Sequence, residues 1–251
     1  MKRSIITVSL ILISFIGATA QNATQTNQAS VTATATEQVV AIPPKTDWLK
    51  DFSGVKVDGP LMVTFEKVNS AEDVRIVYDT KGCITSKFKA EINRNGILCV
   101  EEKSDPKRTS VTEVKIFYSQ LRNVKISHAK CTFNSTIEEP IFDLGVSGGA
   151  IVSIDVNTLD LLVECTGRSL LTISGSTKYL TMKASSAKVD GSKFSTVASI
   201  IEVSNSSEVR INVSERLEAT TSTAATLLYK GEPTIIREHP STFGGDIINI
   251  N

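Results

Sequence analysis

Apolar and polar residues alternate through the second half of the chain, and the pattern recurs every nineteen residues. The segment FDLGVSGGAIVSIDVN (142–157) is followed by LLVECTGRSLLTISGS (161–176), which has the same kinds of residue in the same order. A step of nineteen gives three apolar columns: Leu144, Val163, Met182, Ile201; Val146, Cys165, Ala184, Val203; and Phe142, Leu161, Leu180. Alternation with period two is typical of β-strands. The repeat therefore predicts short strands that bury one side.

Two polar columns with the same period lie between and beside the apolar ones. They are Gly145, Glu164, Lys183, Glu202 and Ser147, Thr166, Ser185, Ser204. Since successive side chains of a strand point to opposite faces, both columns are expected to face outward. After the glycine break, the column Ile151, Leu170, Val189 is expected to face inward, and the repeat slips by one residue before Val209.

This period constrains the architecture. Parallel neighbouring strands need a long crossover, usually helical, and connections of a few residues cannot supply one. A chain that winds through short strands and returns above its starting point satisfies the constraint, and this is a β-solenoid. Residues one period apart then stack about 4.8 Å from each other. The alternative is a β-sandwich whose strands are evenly spaced.

Four regions follow from the pattern along the chain. Residues 1–20 have a basic start, an apolar stretch and an Ala-Thr-Ala cleavage site, and are predicted to be a secretory signal peptide. Residues 21–47 are rich in Thr, Ala and Gln and predict a disordered spacer. Residues 48–120 contain short alternating strands separated by turn signals, with order beginning near Trp48. Residues 121–251 form the repeat region.

Charge and composition narrow the setting. The chain has 27 basic and 27 acidic side chains, so removal of Lys2 and Arg3 with the signal peptide leaves 25 and 27, a formal charge of −2. This balance argues against a nucleic-acid partner. No later segment is apolar enough to be a transmembrane helix. We expect an exported protein in the periplasm, on the outer cell surface or outside the cell.

The four cysteines lack the spacing of a zinc site. Cys83 and Cys99 either form a disulfide across a hairpin or remain thiols, and the sequence leaves both open. Cys165 stands in an apolar column and is expected to be a buried thiol.

Several segments together resemble the head GIN domain, the family of putative auto-transporter adhesins common in Bacteroidota. They are FSGVKVDGPLMVTFEK, GILCVEE, VKIFYSQLRNVKIS and the repeated VSGGAIVS, CTGRSLLTISGS and YKGEPTI. The resemblance covers residue 52 to the C-terminus. It implies a right-handed parallel β-helix, export and a surface or periplasmic setting, and it brings no catalytic residues.

The chain departs from this family at its later turns. Glycine is present at Gly148, Gly149 and Gly167, whereas later turns read SSAK, NSSE and TAAT. A left-handed backbone at Ala187 or Ala225 would be strained. We therefore expect either another turn geometry or less regular coils in that part.

Residues that would support catalysis are sparse. His128 and His239 stand in no motif, and no nucleophile elbow is present. The rival function is a polysaccharide lyase or hydrolase, which needs carboxylates that converge on one groove. The candidates are Asp143, Asp155, Asp160, Glu164, Asp190 and Glu202. Because Lys183 stands between Glu164 and Glu202, their column predicts an alternating charge ladder.

We therefore predict an all-β, non-enzymatic binding or adhesion protein without a cofactor or metal, whose ligand is a glycan or an extracellular protein. The alternative is a polysaccharide-degrading enzyme on the same scaffold. The predicted ligand contacts form one wall of the solenoid: Ser147, Thr166, Lys183, Ser185 and Ser204. A second candidate surface is the strand edge at Ile247–Ile250. The sequence leaves the oligomeric state open.

Overall fold

The computed structural model describes residues 43–83, 87–108, 110–239 and 243–251. The predicted signal peptide lies outside the described residues, as does the spacer up to residue 42. Regular structure begins with β1 (Lys45–Trp48), so the first strand includes the last three residues of the range predicted as spacer.

The described residues form strands, one short 3-10 turn (Ala71–Asp73) and no α-helix. The strands before the repeat are β1, β2 (Gly54–Asp58), β3 (Leu61–Lys67), β4 (Arg75–Asp79), β5 (Lys89–Ile92), β6 (Ile97–Glu101), β7 (Thr112–Tyr118), β8 (Asn123–Ser127) and β9 (Lys130–Phe133). The repeat contains β10 (Ile141–Ser147), β11 (Ile151–Thr166), β12 (Leu170–Ser185), β13 (Lys188–Ser204), β14 (Glu208–Thr221), β15 (Ala225–Lys230), β16 (Ile235–His239) and β17 (Gly245–Asn249).

These strands stack in parallel as two faces of a solenoid. Face A runs β6, β2, β8, β10, the second halves of β11 to β14, and β16. Face B runs β7, β3, β9, the first halves of β11 to β14, β15 and β17. Each coil supplies one strand to each face, and β11 to β14 bend across both. The prediction of a β-solenoid is confirmed, with about seven turns.

The inward side chains of face A form the predicted columns. Leu144, Val163, Met182 and Ile201 occupy one continuous register and are buried. The same holds for the column of Val146 and for that of Phe142. Each apolar side chain thus leaves water by packing against the equivalent side chain one coil away. The predicted repeat is confirmed here residue by residue.

The predicted inward column on face B was wrong by one residue at Ile151 and Leu170 and is confirmed at Val189. Ile151 and Leu170 face outward, with 45% and 44% of their surface exposed. The buried register joins the next residue in each coil: Val152, Leu171, Val189 and Val209. After the first two breaks both residues are apolar, so hydropathy alone does not reveal which one restarts the alternation after the turn. After the later breaks a charged residue, Lys188 or Glu208, precedes the buried valine. The slip before Val209 is confirmed.

The turns between coils keep left-handed backbone where glycine is missing. Positive φ occurs at Gly148, Gly149, Gly167 and Arg168 in the first turns and at Ser186, Asn205, Ser206, Thr223 and Ala224 in the later ones. Ala187 and Ala225, where strain was expected, are not among these residues. The strain falls instead on their neighbours, because a left-handed conformation brings a Cβ atom close to the following carbonyl oxygen.

Hydrogen bonds tie these turns to one another. The Gly149 backbone N–H donates to the Gly167 carbonyl (2.8 Å), and the Arg168 N–H donates to the Ser186 carbonyl (2.6 Å). Gly167 also lies close to the turn below it, since a Cβ added there would be 3.0 Å from the Gly148 nitrogen. The stacked turns therefore repeat one backbone geometry although their side chains differ.

The strand-rich first part is built into the solenoid instead of preceding it. β2 lies in parallel between β6 and β8, and β3 lies between β7 and β9. The coil of β2 and β3 comes first in the sequence but second along the solenoid axis, after the coil of β6 and β7. At the N-terminal end of the solenoid, β4 pairs antiparallel with β7, and β1 pairs antiparallel with β4. On the other face, β5 pairs antiparallel with β6. This antiparallel structure covers the N-terminal end.

We expect inward and outward substitutions on face A to differ sharply in cost. Val163→Asp places a charge in a fully buried column and should lower the free energy of unfolding by several kcal/mol. Lys183→Ala removes a largely exposed side chain and should cost less than about 1 kcal/mol. Urea unfolding of both variants measures the difference; equal costs would contradict the assignment of the two columns.

The strained turn gives a matched pair of glycine substitutions. Ala224 has φ 56°, so Ala224→Gly should stabilise the protein by about 1 kcal/mol. Ala225 is the next residue and lies buried in β15, so Ala225→Gly should destabilise it. Thermal unfolding of the two variants tests this; a lower Tm for Ala224→Gly would contradict the left-handed assignment.

Candidate functional site

The four hydroxyl residues of the predicted wall lie side by side near one edge of face A. Thr166, Ser185 and Ser204 are paired in register on β11, β12 and β13. Ser147 extends the row on β10, where its hydroxyl donates to Ser127 Oγ (3.2 Å). We call Ser147, Thr166, Ser185 and Ser204 the hydroxyl row. All four side chains are half-buried.

A row of charged residues runs next to the hydroxyl row. Glu164, Lys183 and Glu202 share one register and are exposed. Lys183 Nζ lies 3.0 Å from Glu202 Oε2, with more than half of each side chain in solvent. The predicted outward charge ladder is thus present, and its lysine is engaged by a carboxylate. Such an exposed pair contributes little to stability.

The wall brings together all five predicted contact residues on consecutive coils. Part of their hydrogen-bonding capacity is already used: Asn205 Nδ2 donates to Ser185 Oγ (2.8 Å), and Ser204 Oγ donates to the Ala184 carbonyl (3.4 Å). What the wall can offer a ligand is a flat strip of weak polar contacts at the coil spacing.

The candidate catalytic carboxylates do not converge. Asp143, Asp160, Glu164 and Glu202 belong to face A, whereas Asp155 and Asp190 belong to face B. Asp155 accepts a hydrogen bond from Ser174 Oγ (2.6 Å). Hydrogen bonds from the side chain and backbone of Ser192 lower the pKa of Asp190 below its ordinary value. The six carboxyl groups are thus distributed over two faces and partly engaged in local structure.

One polar cluster joins residues that the sequence analysis did not connect. His128 Nδ1 lies 3.0 Å from Asp58 Oδ1 and 3.0 Å from Ser127 Oγ. A catalytic triad needs the carboxylate and the nucleophile on opposite ring nitrogens, and here both approach the same one. The remaining ring nitrogen faces Gly148, where an added Cβ would lie 2.7 Å away. The arrangement is that of a structural contact between coils.

No signal in the sequence reveals this cluster, because Asp58 and His128 are seventy residues apart. They meet only because β2 is inserted next to β8. His239, the other histidine, lies 3.8 Å from a Glu218 carboxylate oxygen on the last coils. The two histidines are therefore in separate parts of the solenoid.

The structure contains no disulfide among the described residues. Cys83 and Cys99 are half-buried, and Cys131 and Cys165 are buried in the core. Burial raises the pKa of both core thiols, that of Cys165 to about 12. The expected buried thiol at Cys165 is confirmed.

Thiol labelling should separate these two pairs. In reduced protein, Cys83 and Cys99 should react with a maleimide under native conditions, whereas Cys131 and Cys165 should react only after unfolding. Mass spectrometry gives the number of maleimide groups bound per protein molecule and the cysteines that carry them. Labelling of Cys165 in folded protein would contradict its burial, and loss of native labelling without reductant would reveal a Cys83–Cys99 disulfide.

The fold and part of the sequence match known proteins. A family model described as "Putative auto-transporter adhesin, head GIN domain" matches residues 51–233. No curated protein sequence matches the chain.

Three crystal structures from Bacteroidota are similar. A putative adhesin from Bacteroides fragilis NCTC 9343 has a TM-score of 0.73 and 15% identity, with coverage of 82% of this chain and 96% of the other. A putative adhesin from Parabacteroides merdae ATCC 43184 has a TM-score of 0.65 and 16% identity, covering 83% and 95%. A putative lipid binding protein from Parabacteroides distasonis ATCC 8503 has a TM-score of 0.60 and 15% identity, covering 83% and 97%. At these identities the likeness concerns the fold.

Proposed function

Because the chain belongs to the head GIN domain family of putative auto-transporter adhesins, we propose that it is an exported, non-enzymatic binding protein of the adhesin type. Its ligand is an extended glycan or an extracellular protein. The wall of face A, formed by the hydroxyl row and Lys183, makes the contact.

The observation that carries this proposal is the unbroken register of face A. Thr166, Ser185 and Ser204 repeat one outward position on consecutive coils, at intervals of about 4.8 Å. A polymer with its own repeat can make the same weak contact with each coil, so that many such contacts add up. Solenoids commonly use extended surfaces of this kind for binding.

Two features support export. The first twenty residues have the composition of a signal peptide. The family to which the chain belongs also fits a surface setting.

In the part of the chain that the structure describes, no helix is both long and apolar enough to cross a membrane.

The distribution of carboxylates supports binding over polysaccharide cleavage. Hydrolysis or elimination needs two or three acidic groups around a single bond. Here Asp155 and Asp190 lie on the face opposite to Glu164 and Glu202, and the Glu202 carboxylate is paired with Lys183.

The C-terminal edge is a weaker contact surface than the wall. Among the described residues, β16 pairs only with β14 and β17 only with β15, which leaves their outer edges exposed. Glu238 continues the inward column of Ala219, and Asn249 continues that of Tyr229. Inward polar residues on an edge strand oppose the addition of another strand, because the new strand would bury them. This argues for the wall.

The decisive experiment is an array of glycans and extracellular-matrix proteins, with lipid vesicles as a further arm because one similar structure carries a lipid-binding name. We expect binding to a glycan or matrix protein and no release of reducing sugar from the bound glycans. Release of reducing sugar would favour the enzyme, and binding to vesicles alone would contradict the adhesin proposal.

A triple variant tests the wall. Thr166→Ala, Lys183→Ala and Ser185→Ala together should weaken binding to the array ligand by about tenfold or more, since each weak polar contact contributes about 0.5–1.5 kcal/mol. The melting temperature should change little. The matched control removes residues 247–251 at the C-terminal edge. Binding that survives the triple variant but is lost on this truncation would contradict the wall.

A further inference from the structure

A groove follows the corner of the solenoid where the chain bends from face B to face A. It has a volume of about 630 Å³ and lies at the opposite end of the face A strands from the hydroxyl row. Its lining comes from five successive levels of the solenoid, from Thr158 on β11 to Glu232 after β15. Four coil spacings give a length of about 19 Å along the solenoid axis. The groove therefore has the shape of a channel for an extended chain.

The floor of the groove is a ladder of threonines. Thr158, Thr177 and Thr196 share one register on β11, β12 and β13. Thr177 and Thr196 are 4% and 3% exposed, and Thr158 Oγ1 donates to Thr177 Oγ1 (2.9 Å). The hydroxyl groups are thus fixed in position by the coils that carry them, which lowers the entropic cost of binding to them.

The groove hydroxyls donate their hydrogens to the protein. Thr177 shares its single hydrogen between the Leu159 and Tyr179 carbonyls (both 3.2 Å). Thr196 Oγ1 lies 3.1 Å from the Asn212 carbonyl, to which it donates, and also contacts Ser199 Oγ. Ser176 and Ser214 also donate to protein oxygens. A hydroxyl oxygen that has donated its hydrogen retains acceptor capacity. These side chains therefore present mainly acceptors to a ligand.

The side-chain amide of Asn212 also presents an acceptor to the groove, because both of its hydrogens are donated to the protein. Its Nδ2 group donates to the Ser192 carbonyl (3.0 Å) and the Phe194 carbonyl (3.1 Å), which occupies both of its hydrogens. The atom not used in these bonds is Oδ1, which only accepts.

Two lysines supply the donors of the groove. Lys178 and Lys230 line it three coil spacings apart, and no described carboxylate forms a salt bridge with either. Lys178 Nζ lies 5.3 Å from the centre of the exposed Tyr179 ring, a cation–π contact that holds the ammonium group at the rim. Glu232 lies at the same end as Lys230 and offsets its charge. Lys178 is therefore the ammonium group best placed to receive an anion.

We propose that this corner groove binds a single acidic polysaccharide chain that lies along the solenoid axis, with a sugar carboxylate at Lys178. A ligand for this lining must bring many hydrogen-bond donors to the oxygen acceptors and an anion to the ammonium group. A chain of uronic acid sugars has both, because each sugar carries hydroxyl groups and a carboxylate. The inference rests on the proposed function and names a ligand class and a site separate from the wall.

The test uses polygalacturonate and its fully methylated ester, which share a backbone and differ in charge. Wild-type protein should bind polygalacturonate at least tenfold more tightly than the ester, and added salt should weaken this preference. Lys178→Gln should reduce the preference by about tenfold, as expected for one charge-assisted hydrogen bond. Lys193→Gln, at an exposed lysine outside the groove, is the matched control and should leave the preference unchanged.

A steric variant tests the groove independently of charge. Ser195 is exposed in the middle of the groove, so Ser195→Trp should block it and abolish binding to polygalacturonate. Ser153→Trp places the same bulk at an exposed position of face B and should bind like wild type. Circular dichroism and the melting temperature establish that both variants are folded.

Failure of this inference and failure of the proposed function give different results. Equal affinity for the two polymers, no binding to either, or full binding by folded Ser195→Trp overturns the groove. If the glycan array is positive in those cases and the triple wall variant loses that binding, the proposed function stands without the groove. If neither the arrays nor the uronate polymer bind, both are overturned.

Discussion

The structure depends on the packing of each coil against the next. A single coil cannot bury its apolar residues, because each of its strands needs the equivalent strand of a neighbouring coil to pack against and to hydrogen-bond with. Stacking buries the apolar side chains and pairs the backbone groups at the same time. Leu144, Val163 and Met182 pack in one column, while the strands that carry them form hydrogen bonds with one another. The same register orders the outside. Every outward position is repeated at the coil spacing whether or not its side chain contributes to stability.

This separation of inside from outside leaves the outward side chains available for the binding that we propose. Inward positions are constrained to be apolar, so the outward positions of face A and the corner are free to vary. On the wall the result is a flat strip with its lysine already paired to Glu202. At the corner the strand bend creates a concave channel, and stacking aligns its threonines into one ladder. Concavity and directed acceptors distinguish the groove from the wall.

The sequence predicted whatever is local or strictly periodic. The columns of face A follow from alternation and a constant step. The slip before Val209 is visible because a charged residue, Glu208, stands where the constant step from Val189 would place an apolar one. The column of Ile151 was wrong at Ile151 and Leu170, because two apolar residues follow each of these two breaks and only the turn geometry selects between them. The insertion of β2 between β6 and β8 was not predictable, since it pairs strands that no repeat relates. The contact between Asp58 and His128 was missed for the same reason.

The turns and the groove show a further limit. The later turns keep a left-handed backbone at Thr223 and Ala224, because hydrogen bonds between stacked turns impose the geometry of the earlier glycine turns. The threonines of the groove were visible in the sequence at a spacing of nineteen, yet nothing local indicates that the chain bends there. Concavity arises from the angle between two faces, and that angle is a property of the stacked coils.

The most direct test of this account is a crystal structure of the protein with a galacturonate oligosaccharide. The account predicts a single sugar chain in the corner groove, parallel to the solenoid axis, with a carboxylate within hydrogen-bond distance of Lys178 Nζ and sugar hydroxyls donating to the oxygens of Thr158 and Asn212. An oligosaccharide bound along the hydroxyl row, with the corner groove empty, would contradict the groove and leave the wall as the binding site. One bound only at the edges of β16 and β17 would contradict both.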